Sequence, residues 1–379
     1  IVTIIPIVLM IKSKGESKIM TIMIILIILL ISQDIFIYYI TYEVIIMPIY
    51  YFITKEGSKY TKYLTRQEAG LRILIYTIIG GIMILGGIII GITRYGTTDN
   101  EIMNYIINRE GEKGIKEIIN TLYIISFFMK IPIFPFHIWL SIAHSESPTY
   151  GSVILASIIL KIASYGIIRY NLPILSIEEI NIYNIMILIS IIIGSILPIN
   201  GVIDIKKIIA YSSIVHMGIS TLGIIMKEWG GIEGGIIIMI AHGWISGGLF
   251  ILVGNLYKRY KTRISIYYTG LSKVYPIWST LLFLYLLSNI SIPITYGFIG
   301  EIKVIEENIK NLFCQIGKHD ETFRDQISKI LDTLKEIVDG IKEYSQDLKV
   351  ETEDIDENIR KIKMLIFSDF NTLKRLIKK

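Results

Sequence analysis

The sequence predicts an all-α fold: a polytopic transmembrane helix bundle with inverted repeats and discontinuous helices, followed by an amphipathic helical tail. Three observations carry this expectation. Apolar runs such as "IMTIMIILIILLI" and "ILIYTIIGGIMILGGIIIGI" are long enough, or nearly so, to cross about 30 Å of hydrocarbon. The 379-residue chain is 52% hydrophobic with a mean hydropathy of +0.58, more apolar than soluble domains usually are. Prolines and charges recur inside the apolar runs, where an uninterrupted span would exclude both.

The chain opens on Ile1, which an unusual start codon or a missing beginning would explain. Isoleucine exceeds leucine strongly, as in an AT-rich genome. A single cysteine, Cys314, excludes an internal disulfide framework and a cysteine-held cluster. The formal charge of +5 falls mainly in the loops and the tail, which assigns it to membrane topology rather than to nucleic-acid binding.

Residues 1–11 read as the end of one span. Nine further spans follow at about 19–33, 35–54, 70–93, 117–134, 149–170, 182–199, 207–226, 232–256 and 276–300. Loop charge orients them. Lys55, Lys59, Lys62, Arg66, Arg72, Lys206, Lys207, Lys258, Arg259, Lys261, Arg263 and Lys273 share one side. Arg94, Arg109, Lys113, Lys116, Arg169 and Lys227 lie on the other. Twelve against six places the first side in the cytoplasm or a mitochondrial matrix, here the inner face. The expected division is 1–301 as the membrane domain and 302–379 as a charged extramembrane tail. In "KHDETFRDQISKILDTLKEIVDGIKEYSQDL", Ile327, Ile330, Leu331, Leu334, Ile337, Val338 and Ile341 recur at helical spacing, a water-facing amphipathic pattern. A second such segment runs from Ile355 to Ile377. Both are expected outside the hydrocarbon, paired with each other or docked on neighbouring subunits.

The charges inside the spans point to chemistry. Lys130 lies in "SFFMKIPIFPFHIWL", followed by Pro132 and Pro135. A charge at that depth costs at least a few kcal/mol, and proline removes a helix donor, so a broken helix beside a lysine is expected to face a hydrated path. Glu43 lies in "TYEVIIMPIYYF", Lys161 in "ILKIASYGIIRY", His216 in "AYSSIVHMG" and His242 in "IMIAHGWISGGLF". Glu301 closes "ITYGFIGE". Each has a bland reading as a snorkelling or paired residue. As a set they form candidate proton-binding groups. A lysine in a low-dielectric site holds its proton less tightly, a nearby carboxylate restores the hold, and histidines titrate near neutral pH. Motion of Glu43 relative to Lys130 would therefore load or release a proton. "KIPIFPF" is echoed by "SIPITYGF" at Ser291, which suggests paired broken helices. His137 and His144 lack a third metal ligand at a standard spacing, "GGIIIGITRYG" lacks the strand and Gly-Lys-Ser/Thr of a phosphate loop, and no redox-cofactor motif is present.

The segment "KIPIFPFHIWLSIAHSESPTYGSVILASIILKIASYGIIRY" strongly resembles the signature of the antiporter-like membrane subunits of respiratory complex I. "DIKKIIAYSSIVHMG", "IAHGWISGGLFILVGNLYKR" and "PITYGFIGE" resemble further signatures in the same order, and the likeness spans roughly residues 19–301. The resemblance implies that Glu43 and Lys130 are the glutamate–lysine pair of an input half-channel. It makes Lys161 the connecting lysine on the next, broken helix, with His242 on a central polar axis and Glu301 the terminal acid on a second broken helix. Asp204 and Lys206 match the loop before the seventh span. The activity implied is proton translocation as part of NADH:ubiquinone oxidoreductase, coupled to quinone reduction in other subunits, in the mitochondrial inner membrane. No NADH, flavin, iron–sulfur cluster or quinone is expected on this chain. Other membrane-arm subunits and lipids are the implied partners. The family has about fourteen spans. Against that number, two and part of a third are absent at the start and two at the end, so chains supplying those spans are expected as partners too. Ser141 and Ile142 stand where the family has Pro and Asp, and Ser147 stands for Ala. Two rival readings are a cation/proton antiporter subunit of the same superfamily and a truncated assembly subunit that does not pump.

Overall fold

A computed structural model describes residues 16–57, 63–199, 202–268 and 270–316. The first expected span fragment and the expected tail helices lie outside the described residues. Where described, the chain is a bundle of apolar helices, six of them long and apolar enough to cross a membrane.

The elements in order are α1 (Glu16–Ile31), α2 (Ile35–Val44), α3 (Ile46–Glu56), α4 (Tyr63–Tyr95), α5 (Asn100–Glu110), α6 (Lys113–Lys130) and α7 (Ile138–Glu146). They continue with α8 (Thr149–Asn171), α9 (Ile177–Ile199), α10 (Ile205–Ile225), α11 (Trp229–Tyr260), the short α12 (Leu271–Val274), α13 (Pro276–Asn289) and α14 (Tyr296–Ile316). α2 and α3 form one span bent at Ile45. Pro48 cannot donate to the Val44 carbonyl, and its ring crowds the preceding turn. Asp34, Asp99 and Asp204 cap α2, α5 and α10 through side-chain oxygens 2.7–3.1 Å from first-turn amides.

Both faces are tied by short backbone pairings. At the outer face, Ile35 N–H donates to Thr98 O at 3.1 Å, and Asp34 pairs with Asp99. At the inner face, Ile205 N–H donates to Arg263 O at 3.1 Å, and Asp204 pairs with Ile264. Loops that the charge count put on one side therefore meet on that side. Arg263 extends the inner tie. It reaches Glu146 at 3.4 Å and Asp204 at 3.5 Å and donates to the Ser145 carbonyl.

The two proline-marked breaks are real. After Lys130, Ile133 N–H takes the Phe128 carbonyl at 3.0 Å, a role that Pro132 cannot fill. The Met129 carbonyl is thereby released, and Trp139 Nε1 donates to it at 2.9 Å. Chain direction then resumes in α7. The second break separates α13 from α14, with Ser291 at φ 56° and Pro293 inside it. The expected ninth span at 276–300 is thus two half-helices. Glu301 does not close a span: it sits in the first turns of α14, which continues to Ile316 and carries the helix past the expected domain boundary.

The resemblance also makes the helix that carries Lys161 a broken one, with its break expected near Gly166; no break forms there. α8 runs unbroken from Thr149 to Asn171 but widens into π turns at Leu155–Ile159 and Ile167–Asn171. No proline lies within it. The i→i+5 register absorbs the irregularity without ending the helix.

α10 and α11 pack closely through small residues. A Cβ on Gly231 would lie 2.7 Å from the Gly223 carbonyl, and one on Gly235 would lie 2.7 Å from the Ser220 carbonyl. Backbone is met on both sides, so nothing can swing away. Gly231→Val should destabilise the bundle by about 1–3 kcal/mol, the usual range for overpacking. Thermal inactivation of the detergent-solubilised protein should shift downward. Gly114→Val, at a position with open space around it, should leave the curve within error.

Candidate functional site

Lys130 ends α6 at the break, buried with only 3% of its side chain exposed. Its Nζ donates to the Tyr42 carbonyl at 2.8 Å, faces Glu43 Oε1 at 3.3 Å and lies 2.9 Å from the centre of the Tyr42 ring. Carboxylate, carbonyl and ring face together replace the hydration a buried ammonium loses. The sequence indicated Glu43 and Lys130 but not Tyr42, whose carbonyl and ring complete the cradle. Only its position next to Glu43 could have marked it.

The other four predicted residues form a second group. Lys161 Nζ lies 2.7 Å from His242 Nδ1 and donates to the Ala156 carbonyl at 2.5 Å, inside the first π turn of α8. The His242 and His216 rings are 5.7 Å apart, centre to centre. His216 Nδ1 lies 3.1 Å from Glu301 Oε1, which also accepts from Ser291 Oγ at 2.7 Å. A cavity of about 10 Å³ between α10, α11 and the second break is lined by His216, His242, Ser288 and Ser291. That volume is about what one water needs. Ser291 was visible in "SIPITYGF" as part of an echo; its contact with the acid was not.

His242 Nε2 has no protein partner. His144 is fully buried, stacks on Phe250 at 4.6 Å and has no partner on either ring nitrogen. It lies within electrostatic reach of Lys161, Lys206 and His242. Lys206 is buried and donates to Ser147 O at 2.9 Å.

Chemically, the pair and the quartet are suited to proton transfer. A protonated Lys161 donates to His242 Nδ1. Transfer across 2.7 Å would leave an amine and an imidazolium, with the His216–Glu301 pair next along the line. The structure brings all six predicted residues together in these two groups.

A family model described as "NADH:quinone oxidoreductase/Mrp antiporter, TM" matches residues 32–315. The chain is 37% identical over 294 residues to NADH-ubiquinone oxidoreductase chain 4 of Chondrus crispus, covering 75% of this chain and 58% of that one. To chain 4 of Dictyostelium discoideum it is 42% identical over 311 residues, covering 79% and 56%. The chain thus spans about half the length of the curated relatives it matches. Among solved structures it superposes on a chain of respiratory complex I from Thermus thermophilus with a TM-score of 0.73 at 21% identity, covering 91% of this chain and 70% of that one. On a chain of the Mrp complex from Dietzia sp. the TM-score is 0.70 at 19% identity, covering 88% and 35%. At those identities the two structures establish the fold alone.

The Glu43 carboxylate rests directly on Gly81 of α4. A Cβ there would lie 2.7 Å from Glu43 Cδ and 2.8 Å from Oε1. Gly81→Ala should push the carboxylate off Lys130 and lengthen the 3.3 Å pair. Difference infrared spectroscopy of the carboxylate band should report the change, with Glu43→Gln identifying the band. Gly86→Ala, whose added methyl would meet only Leu122 at 3.8 Å, should leave the band in place.

Proposed function

The chain belongs to the NADH:quinone oxidoreductase/Mrp antiporter transmembrane family, and we propose that it is a proton-translocating membrane-arm subunit of a respiratory complex I in the mitochondrial inner membrane. The observation that carries this reading is the Glu43–Lys130 pair at 3.3 Å beside a helix break, with the lysine buried and the carboxylate 22% exposed. An ion pair at that depth is poor value for stability, since apolar residues of similar volume pack as well without desolvation. A pair whose members can separate is a proton switch: with Glu43 close the ammonium is held, and with Glu43 withdrawn the proton leaves. Lys161, His242, His216 and Glu301 would accept and pass it on through the bundle.

In this reading the chain performs no redox chemistry and binds no NADH, flavin, iron–sulfur cluster or quinone. Other subunits oxidise the donor, reduce the quinone and drive the motion of the pair. The partners are neighbouring membrane-arm subunits and lipids. The names of relatives from Chondrus crispus, Dictyostelium discoideum and Arabidopsis thaliana, each chain 4 of an NADH-ubiquinone oxidoreductase, favour this assignment over an antiporter subunit that works without a redox arm.

The test uses the whole assembly in sealed proteoliposomes, with proton uptake and quinone reduction measured together. Lys130→Ala should lower the number of protons moved per quinone reduced while the subunit composition stays intact. Lys130→Arg, which keeps the charge but cannot release it (guanidinium stays protonated at all working pH values), should lower it equally. An unchanged ratio in both variants would make the lysine a structural residue.

A further inference from the structure

Between Glu233 and Glu301 the chain has no acidic residue, and all of its lysines and arginines in that stretch fall between Lys258 and Lys273. They lie at the inner face, on the last turn of α11, on the loop that follows and on α12. Arg263 is engaged by Glu146 and Asp204. Lys258, Arg259, Lys261 and Lys273 are exposed. Among the described residues, Lys258, Arg259 and Lys273 meet no carboxylate. The other basic stretch of this face, Lys55–Arg72, has Glu56 and Glu68 among its cations.

Topology alone asks for cations on such a loop and for nothing else. This loop also exposes large apolar groups between them. Ile266, Tyr267 and Val274 are 65%, 69% and 63% exposed. Rings hold the segment to the end of the bundle. Tyr260 and Tyr268 meet edge to face at 5.9 Å, and Tyr268 donates to the Thr262 carbonyl. Trp278 Nε1 donates to the Leu252 carbonyl at 3.3 Å, which fixes the start of α13 against α11. The Arg259 guanidinium lies 4.9 Å from the centre of the Tyr275 ring, and Tyr275 hydrogen-bonds to it and to Tyr260. One phenol oxygen cannot occupy five N–H donors, so most of the fork stays open, and such a fork matches the oxygens of a phosphate.

The apolar surface continues on α13. Ile277, Leu281 and Leu284 are spaced four and three apart, share one face and are exposed. Cations, interfacial rings and an apolar stripe thus follow one another in the order in which a leaflet presents headgroup, boundary and hydrocarbon.

We infer that this surface binds an anionic phospholipid of the inner leaflet, with its phosphate on Lys258, Arg259 and Lys273 and its chains along the stripe of α13. A zwitterionic headgroup brings its own cation and gains less from basic side chains with no acid between them. The inference needs no proton to move, so it stands or falls apart from the role of the Glu43–Lys130 pair.

The test is photolabelling of the assembled complex in nanodiscs. Phosphatidylglycerol and phosphatidylcholine carrying the same diazirine acyl chain are compared at equal mole fraction, and labelled peptides are mapped by mass spectrometry. Phosphatidylglycerol should label residues 264–284 about fivefold more, the factor that one basic side chain near an anionic surface supplies. Lys258→Gln, Arg259→Gln and Lys273→Gln together should remove the difference. Arg72→Gln, an exposed inner-face cation off the patch, should leave it in place. Equal labelling by the two lipids in the unmodified complex, or a preference that survives the triple substitution, would overturn the inference. A high-resolution map of the unmodified complex gives a reading free of substitution, and it decides the matter if the triple variant does not assemble. A headgroup phosphate within hydrogen-bond distance of Arg259 is expected. A protein helix seated on Arg259 and the Ile277–Leu284 stripe, or no lipid at that place, would overturn the inference.

Discussion

An ammonium in hydrocarbon must bring its own solvent, and the architecture follows from that requirement at Lys130. The carboxylate of Glu43, the carbonyl of Tyr42 and the face of the Tyr42 ring come from one helix, and the lysine comes from another. For them to meet, α2 must bend at Ile45, α6 must end at Lys130 and α4 must offer a glycine at position 81. Two of these three conditions are set by prolines. A proline in a span frees a carbonyl, and a freed carbonyl in the membrane must find protein or water. Backbone irregularity and buried charge therefore occur together because each helps to satisfy the other.

The second group solves the same problem differently. Lys161 meets no carboxylate among the described residues. Its partners are an imidazole and a carbonyl within a π turn. The widened register lets α8 supply an acceptor without interruption, which explains why a helix lacking proline keeps its continuity where α6 and the α13–α14 segment lose theirs. Glu301, just beyond the second break, is matched by His216 from α10 and Ser291 from the break itself. The two groups thus differ in kind. One is an ion pair between a buried ammonium and a partly exposed carboxylate, and the other is a set of side-chain contacts of 2.7–3.1 Å on either side of two imidazole rings 5.7 Å apart. At the inner face, Arg263 fastens α7, α10 and the loop after α11 through Glu146, Asp204 and the Ser145 carbonyl.

The sequence by itself determined the fold class, most span boundaries, the sidedness of the loops and the identity of the charged residues. These depend on composition and local period, and hydrocarbon imposes both on each span separately. The breaks after Lys130 and at Ser291 were legible because proline acts on its own turn. The break expected near Gly166 did not form, since glycine permits a distortion without requiring one, and the neighbouring helices decided on π turns instead. Tyr42, Ser291 and Ala156 were illegible as partners. A carbonyl or a hydroxyl becomes a ligand only through the distance and direction that tertiary packing gives it, and no single-chain pattern encodes that. The same holds for the polar face of α6: Asn120 and Ser126 read as ordinary residues on an apolar helix until α8 and α2 bring Asn171 and Tyr42 against them.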